Sequence, residues 1–209
     1  MNTLNLEETM KAICMSVLAL VVVACPLIAD LYCEEPVADT WTWTGNGPYG
    51  SSTQLRTNKF TAFNQAVELT FDLSTIPAGS TVNSAILNVY RYDGDGSLEC
   101  DIFRITEYWE EPSLVDSVAH DAGNPYDQFV ITGNGWCTFD ITQLVQEWID
   151  ATYDNFGVVF YGTGGAGSYQ YFYSREYQYP TDRPHLEIDY STPGALETTT
   201  FGAIKALFR

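Results

Sequence analysis

Ten short runs rich in β-branched and aromatic residues occupy the sequence between residues 36 and 190, separated by clusters of Gly, Pro, Asn, Asp and Ser. They fall at 36–44, 54–57, 66–72, 83–92, 99–106, 128–132, 136–140, 156–161, 168–175 and 184–190. Branched and flat side chains pack well on a pleated surface, and the intervening residues supply the backbone angles of tight turns. Many short strands at near-regular spacing predict an all-β antiparallel sandwich or barrel. Ala85-Ile86-Leu87-Asn88-Val89-Tyr90 and Leu186-Glu187-Ile188-Asp189-Tyr190 alternate with a period of two, so each is expected to bury one face. Asp93-Gly94-Asp95-Gly96 reads as a hairpin turn between two strands.

A single helix interrupts this pattern. Asp140-Ile141-Thr142 offers side-chain oxygens for an N-cap, and Leu144, Val145, Trp148 and Ile149 then recur at helical spacing on one face. The expected role is structural, with the helix covering an open end of the sandwich and Trp148 as its anchor.

The N-terminal 29 residues read as an export leader. Lys11 precedes an apolar run over residues 12–24, the length of a signal-peptide core and short for a membrane span. Two processing routes are open: cleavage after Ala29, or lipidation at Cys25 within Val22-Val23-Ala24-Cys25, a lipobox-like sequence. Both predict a protein that works outside the cytoplasm, and a lipid anchor is its only expected link to a membrane. Export permits disulfides. With Cys14 and Cys25 assigned to the leader, Cys33, Cys100 and Cys137 remain; the latter two lie in strand-like runs and are the expected pair.

The chain has 27 acidic and 9 basic residues, a formal charge of −18. Loss of the leader removes Glu7, Glu8 and Lys11, leaving 25 against 8, about −17. Such a surface repels nucleic acid and anionic lipid, tolerates neutral sugars and attracts divalent cations.

Aromatic side chains supply the best binding candidates. In Tyr169-Gln170-Tyr171-Phe172-Tyr173-Ser174-Arg175, strand alternation sets Tyr169, Tyr171, Tyr173 and Arg175 on one face and Gln170, Phe172 and Ser174 on the other. Sugar rings could stack on the tyrosines while hydroxyls bond the phenols and Arg175; the alternative is that these tyrosines are packed core. Trp43 and Tyr49, beside the loop Gly45-Asn46-Gly47-Pro48, are a second candidate pair, and Tyr177 and Tyr179 could extend a groove. Trp109 and Trp148 read as core. For a metal, no cofactor is required, but a structural Ca2+ is open, with Asp93, Asp95 and Asp39 as candidate ligands. Against catalysis, His120 and His185 are the only histidines, and no activated nucleophile accompanies them. Glu110 and Glu111 are chain neighbours that would point apart in a strand.

One family gathers these pieces. Val37-Ala38-Asp39-Thr40-Trp41, Phe71-Asp72-Leu73-Ser74-Thr75-Ile76-Pro77, Trp109-Glu110-Glu111, Phe139-Asp140-Ile141-Thr142, Tyr173-Ser174-Arg175-Glu176 and Arg183-Pro184-His185-Leu186-Glu187-Ile188-Asp189-Tyr190 stand in this order along residues 36–190. This order resembles the DNRLRE domain, the disaggregatase-related module that overlaps carbohydrate-binding module family 96. The resemblance implies a jelly-roll-like β-sandwich with one short capping helix, extracellular in bacteria and archaea, binding polysaccharide. It also implies that Trp41 is core. The chain departs from relatives that bind acidic glycans, because Lys59 and Lys205 are its only lysines after the leader. The expected organisation is a leader at 1–29, a pre-domain segment at 30–35, the sandwich at 36–190, and a linker with a short amphipathic tail at 191–209. The expected function is non-catalytic polysaccharide binding. The alternatives are a structural or adhesive surface protein and, more distantly, a polysaccharide-degrading enzyme.

Overall fold

The computed structural model describes residues 29–59, 65–164 and 168–193. The leader up to residue 28 and the tail from residue 194 lie outside the described residues. Eleven strands and one helix follow in order: β1 (Ala29–Glu34), β2 (Ala38–Trp43), β3 (Gln54–Asn58), β4 (Gln65–Thr70), β5 (Thr81–Gly94), β6 (Leu98–Arg104), β7 (Asp127–Ile131), β8 (Gly135–Asp140), α1 (Thr142–Ile149), β9 (Val158–Gly164), β10 (Tyr169–Tyr173) and β11 (His185–Ser191). They form two antiparallel sheets, one running β1-β11-β5-β10-β3 with β8 also on β5, the other β2-β4-β9-β6-β7. The chain changes sheet at most connections, as the expected jelly-roll-like sandwich requires.

The core lies between the sheets. Val67, Leu69, Leu98, Ile102, Val158 and Phe160 come from the five-stranded sheet, and Leu55, Leu87, Val89, Phe139, Phe172, Leu186 and Ile188 from the six-stranded one. In both, inward residues alternate with outward ones. Strand β4 is an exception, with its first five residues buried. Its second face is covered by Phe103, Ile105, Trp109 and Val118, which form a smaller cluster with Ala66 and Val159. The buried acidic residue of β4 is Glu68, fully enclosed, with Thr42 Oγ1 donating to its Oε1 at 2.8 Å.

Helix α1 buries Leu144, Val145 and Trp148. The cap oxygen comes from Asp140, whose Oδ1 accepts from the Thr142 backbone N–H at 3.0 Å. Thr142 Oγ1 in turn accepts from the Ala85 N–H at 2.9 Å, tying the helix start to β5. Among the described residues no helix is long and apolar enough to cross a membrane.

Two expectations need correction. Segment 30–35 is not a lead-in to the sandwich: it forms most of β1, paired with β11 from Ala29↔Ser191 to Glu34↔Leu186. Cys100 and Cys137 are buried free thiols and not a disulfide. They stand on β6 and β8, in opposite sheets. Burial raises both thiols well above their ordinary range, so neither presents the thiolate that disulfide exchange requires.

Candidate functional site

Strand β10 sets the site because its two buried side chains fix its orientation. Phe172 is fully buried edge-on to Phe160, with centroids 5.5 Å apart. Gln170 is equally buried, accepting from Arg91 Nε at 2.5 Å and donating to the Asp95 carbonyl at 2.8 Å. Successive side chains of a strand point to opposite faces, so Tyr169, Tyr171 and Tyr173 are carried together on the outer face. Strand β5 adds Tyr90 and Tyr92 by the same logic, since Val89 and Arg91 are buried. Strand β8 adds Trp136, 41% exposed, because Cys137 turns inward.

These rings touch in sequence. Tyr169 lies 6.3 Å from Tyr171, and Tyr171 lies 6.3 Å from Tyr92. Tyr92 stacks on Tyr173 at 4.5 Å with 12° between planes, and Tyr173 stacks on Tyr177 at 3.5 Å and 8°. Tyr90 joins Tyr173 to Trp136, which meets His185 edge-on at 4.9 Å. The middle rings therefore cover each other's faces and leave mainly their edges open. Open aromatic surface is largest at the ends of the band, on Tyr169 (38% exposed), Trp136 and Tyr179 (55%).

Polar groups are woven through the band. The Tyr92 hydroxyl and the Gln54 side-chain amide hydrogen-bond at 2.6 Å. A hydrogen bond with Tyr173 pushes the Tyr177 phenol up to about 12, so it stays protonated at neutral pH. Arg56 sits on β3 opposite Tyr171, its guanidinium carbon 5.3 Å from that ring and 4.7 Å from the ring of Trp41. The outer face thus offers hydroxyls, an amide and a cation over an aromatic floor.

The other candidates separate from this band. Arg175 lies beyond the end of β10 and its guanidinium is committed elsewhere. It donates to the Val37 carbonyl at 2.6 Å and pairs with Glu111 Oε2 at 3.1 Å and Glu176 Oε1 at 2.9 Å. Tyr49 is half-buried, stacked on the buried Trp41 at 3.8 Å and 10°. It reaches the tyrosines through a relay of Trp41 and Arg56. Trp43, at the end of β2, pairs with Gln65 and packs against the core from the edge of the five-stranded sheet.

Asp93, near the end of β5, and Asp95, in the connection to β6, are exposed; Asp93 Oδ1 accepts from the Gly94 N–H and the Asp95 N–H donates to the Tyr169 carbonyl. Because β5 and β6 lie in different sheets, the expected hairpin is a crossing between the sheets. The two aspartates do not share a site with Asp39, which is 1% exposed at the start of β2. Among the described residues, the acidic side chains that converge closely are Asp39, Glu111 and Glu176. Glu110 is exposed, its Oε1 accepting from the Tyr108 hydroxyl at 3.4 Å, and is not part of that group. His120 bonds the Val118 carbonyl at 2.9 Å and lies 3.3 Å from the Tyr161 hydroxyl, a structural setting beside Phe103.

Sequence reasoning missed Tyr90, Tyr92, Trp136, Gln54 and Arg56. The alternation of β5 already marked Tyr90 and Tyr92 as outward. Nothing local indicated that β5, β8, β10 and β3 would lie side by side.

The chain is a two-sheet antiparallel β-sandwich with a continuous aromatic and hydroxyl-bearing strip on one sheet. The family model for carbohydrate-binding module family 96 matches residues 32–190, and the chain belongs to that family. No curated protein matches the chain significantly. Membership makes carbohydrate the expected partner and points to binding rather than catalysis.

Proposed function

We propose that this is an exported, non-catalytic module that holds a neutral or weakly charged polysaccharide on the outer face of its six-stranded sheet. The observation that carries the reading is the band of touching rings from Tyr169 to Trp136, built on strands whose alternate residues are core. Aromatic surface matches the apolar faces of pyranose rings, and phenol and amide groups exchange hydrogen bonds with their hydroxyls. Stacking is assigned to the ends of the band, at Tyr169, Trp136 and Tyr179. Hydrogen bonding is assigned to its middle, where Tyr92 and Tyr173 turn their edges out.

The charge argues for the ligand class. At a formal −18 the chain repels polyanions, and Arg56 is the cation seated in the band. The leader-like sequence ahead of β1 supports work outside the cytoplasm.

Retention of the purified protein on a panel of insoluble and arrayed polysaccharides, with and without calcium, tests the reading. Retention on one class of neutral glycan is the expected result. Failure across the whole panel would overturn it in favour of a structural surface protein, and release of soluble sugar from a bound polymer would establish an enzyme.

A further inference from the structure

Asp39, Glu111 and Glu176 each present a carboxylate oxygen within 4.8 Å of the others. They come from the start of β2, the loop after β6 and the turn after β10. One oxygen of each, Asp39 Oδ1, Glu111 Oε1 and Glu176 Oε2, is buried and lacks a hydrogen-bond partner. The second oxygens are occupied: Asp39 Oδ2 accepts from the Arg175 N–H at 2.8 Å, while Glu111 Oε2 and Glu176 Oε1 pair with its guanidinium. Among the described residues, then, three carboxylates face one cation. An unpaired buried carboxylate oxygen is costly, and a cluster of three is more so.

We infer that Asp39, Glu111 and Glu176 hold a divalent cation, and that the ion is Ca2+. The donor set is all oxygen, with no histidine or thiolate, which disfavours zinc. Ca2+ binds oxygens at about 2.3–2.6 Å in irregular geometry, so it spans ligands up to roughly 5 Å apart. Mg2+, at about 2.0–2.1 Å and octahedral, would require the three side chains to close in. Protein packing holds them where they are. A Cβ on Gly50 would stand 2.3 Å from Glu111 Cγ and 2.8 Å from its carbonyl oxygen, so only glycine lets the loop approach this closely. Glu111 and Glu176 also line a surface cleft of about 380 Å3 with Pro48, Gly50 and Arg175, so two of the three residues border solvent. Burial, with Glu176 and Glu111 nearby, raises the Asp39 carboxyl well above the ordinary range. The competing occupant is therefore a proton shared between Asp39 and Glu176.

Such an ion joins three parts of the chain that no strand pairing connects. Glu176 directly precedes Tyr177, the ring stacked on Tyr173, so the cation fixes the end of the aromatic band. The inference needs no sugar and stands whether or not a glycan is found.

Chelator-treated protein is titrated with Tb3+ and excited at its tyrosine and tryptophan bands, and thermal unfolding is followed with and without Ca2+. Saturable Tb3+ luminescence displaced by Ca2+ is expected, together with a loss of several degrees in Tm on chelation that Ca2+ restores better than Mg2+. Asp39→Asn should abolish the luminescence. Glu176→Gln, at a side chain 25% exposed, reads the same loss should Asp39→Asn fail to fold. An Asp93→Asn, Asp95→Asn double variant should bind like the parent. Absence of luminescence and of a chelation effect in the parent protein would overturn the inference and leave the shared proton. Loss of the signal in the Asp93/Asp95 double variant alone would overturn it by moving the ion to the β5–β6 connection.

Discussion

Tyr173 and Tyr177 stack face to face at 3.5 Å with planes 8° apart, joining the last residue of β10 to the turn that follows it. The Tyr177 N–H donates to the Ser174 carbonyl, which closes that turn and sets the ring in place. The stack makes Tyr173 more than a surface residue. Its ring also meets Tyr92 and Tyr90, so it is the hinge point of the whole band.

Replacing Tyr171 and Tyr173 together with Ala is therefore expected to abolish glycan retention. It should also lower stability, because five ring pairs are lost, Tyr171 with Tyr169 and Tyr92 and Tyr173 with Tyr90, Tyr92 and Tyr177, each contributing roughly 0.5–1.5 kcal/mol. Tyr169→Ala, at the open end of the band, should weaken retention with little change in Tm. Affinity measurement and thermal melts on the same samples separate the two effects. Retention unaltered in the double variant would place the sugar elsewhere.

Glu68 gives the protein a predictable response to pH. Burial pushes its carboxyl up to about 8, against bonds from Thr42 and Ser117 that favour the charged form. The unfolded chain releases this proton near the ordinary value of 4.5 while the folded one retains it. The stabilisation is thus fully present below pH 4.5 and is lost as pH rises through about 8, at up to about 1.4 kcal/mol per pH unit. Glu68→Gln keeps an oxygen for Thr42 and removes the titration. Urea melts of the parent should show stability falling from pH 5 to pH 8 relative to the variant; parallel curves would mean Glu68 is ionised in the fold.

The buried thiols predict indifference to reductant. Burial raises the Cys100 thiol strongly and the Cys137 thiol to about 11, so both are protonated and enclosed at neutral pH. Cys33 is exposed on β1, although partial desolvation and then Glu187, Glu34 and Glu35 raise its pKa too. A thiol reagent at pH 9 should find one fewer reactive group in a Cys33→Ser variant, and Cys100 and Cys137 should react only on unfolding. Dithiothreitol should leave Tm unchanged, and a fall of several degrees would mean the two sulfurs are bonded.

The ten strands expected from local pattern all appear, because alternation and turn chemistry are local signals. Strand β1 was not legible: Leu31 and Cys33 share an apolar face that is exposed, and half-buried Tyr32 is its contact with the core, so it rests largely on its ladder with β11. The outward tyrosines could be read from Phe172, whereas the fate of Arg175 could not. Ser174 Oγ donates to the Ser52 carbonyl at 2.6 Å, the strand ends, and the alternation that would have carried Arg175 alongside Tyr173 ends with it. Asp39 was visible as a candidate ligand, but Glu111 and Glu176 reach it only through the fold. Sequence distance hides that kind of convergence.

Ala29 is the cross-strand partner of Ser191. The polypeptide therefore enters and leaves the sandwich at one spot on one edge. Whatever is tethered through the N-terminal side and whatever is tethered through the C-terminal side would grip the module at the same place. Such an arrangement also suits insertion into a loop of a host protein, which would need to part by only the width of two neighbouring strands. It sets an order on folding as well: β1 has no partner until the last strand has been made, so this edge can close only after the full 29–191 span is available.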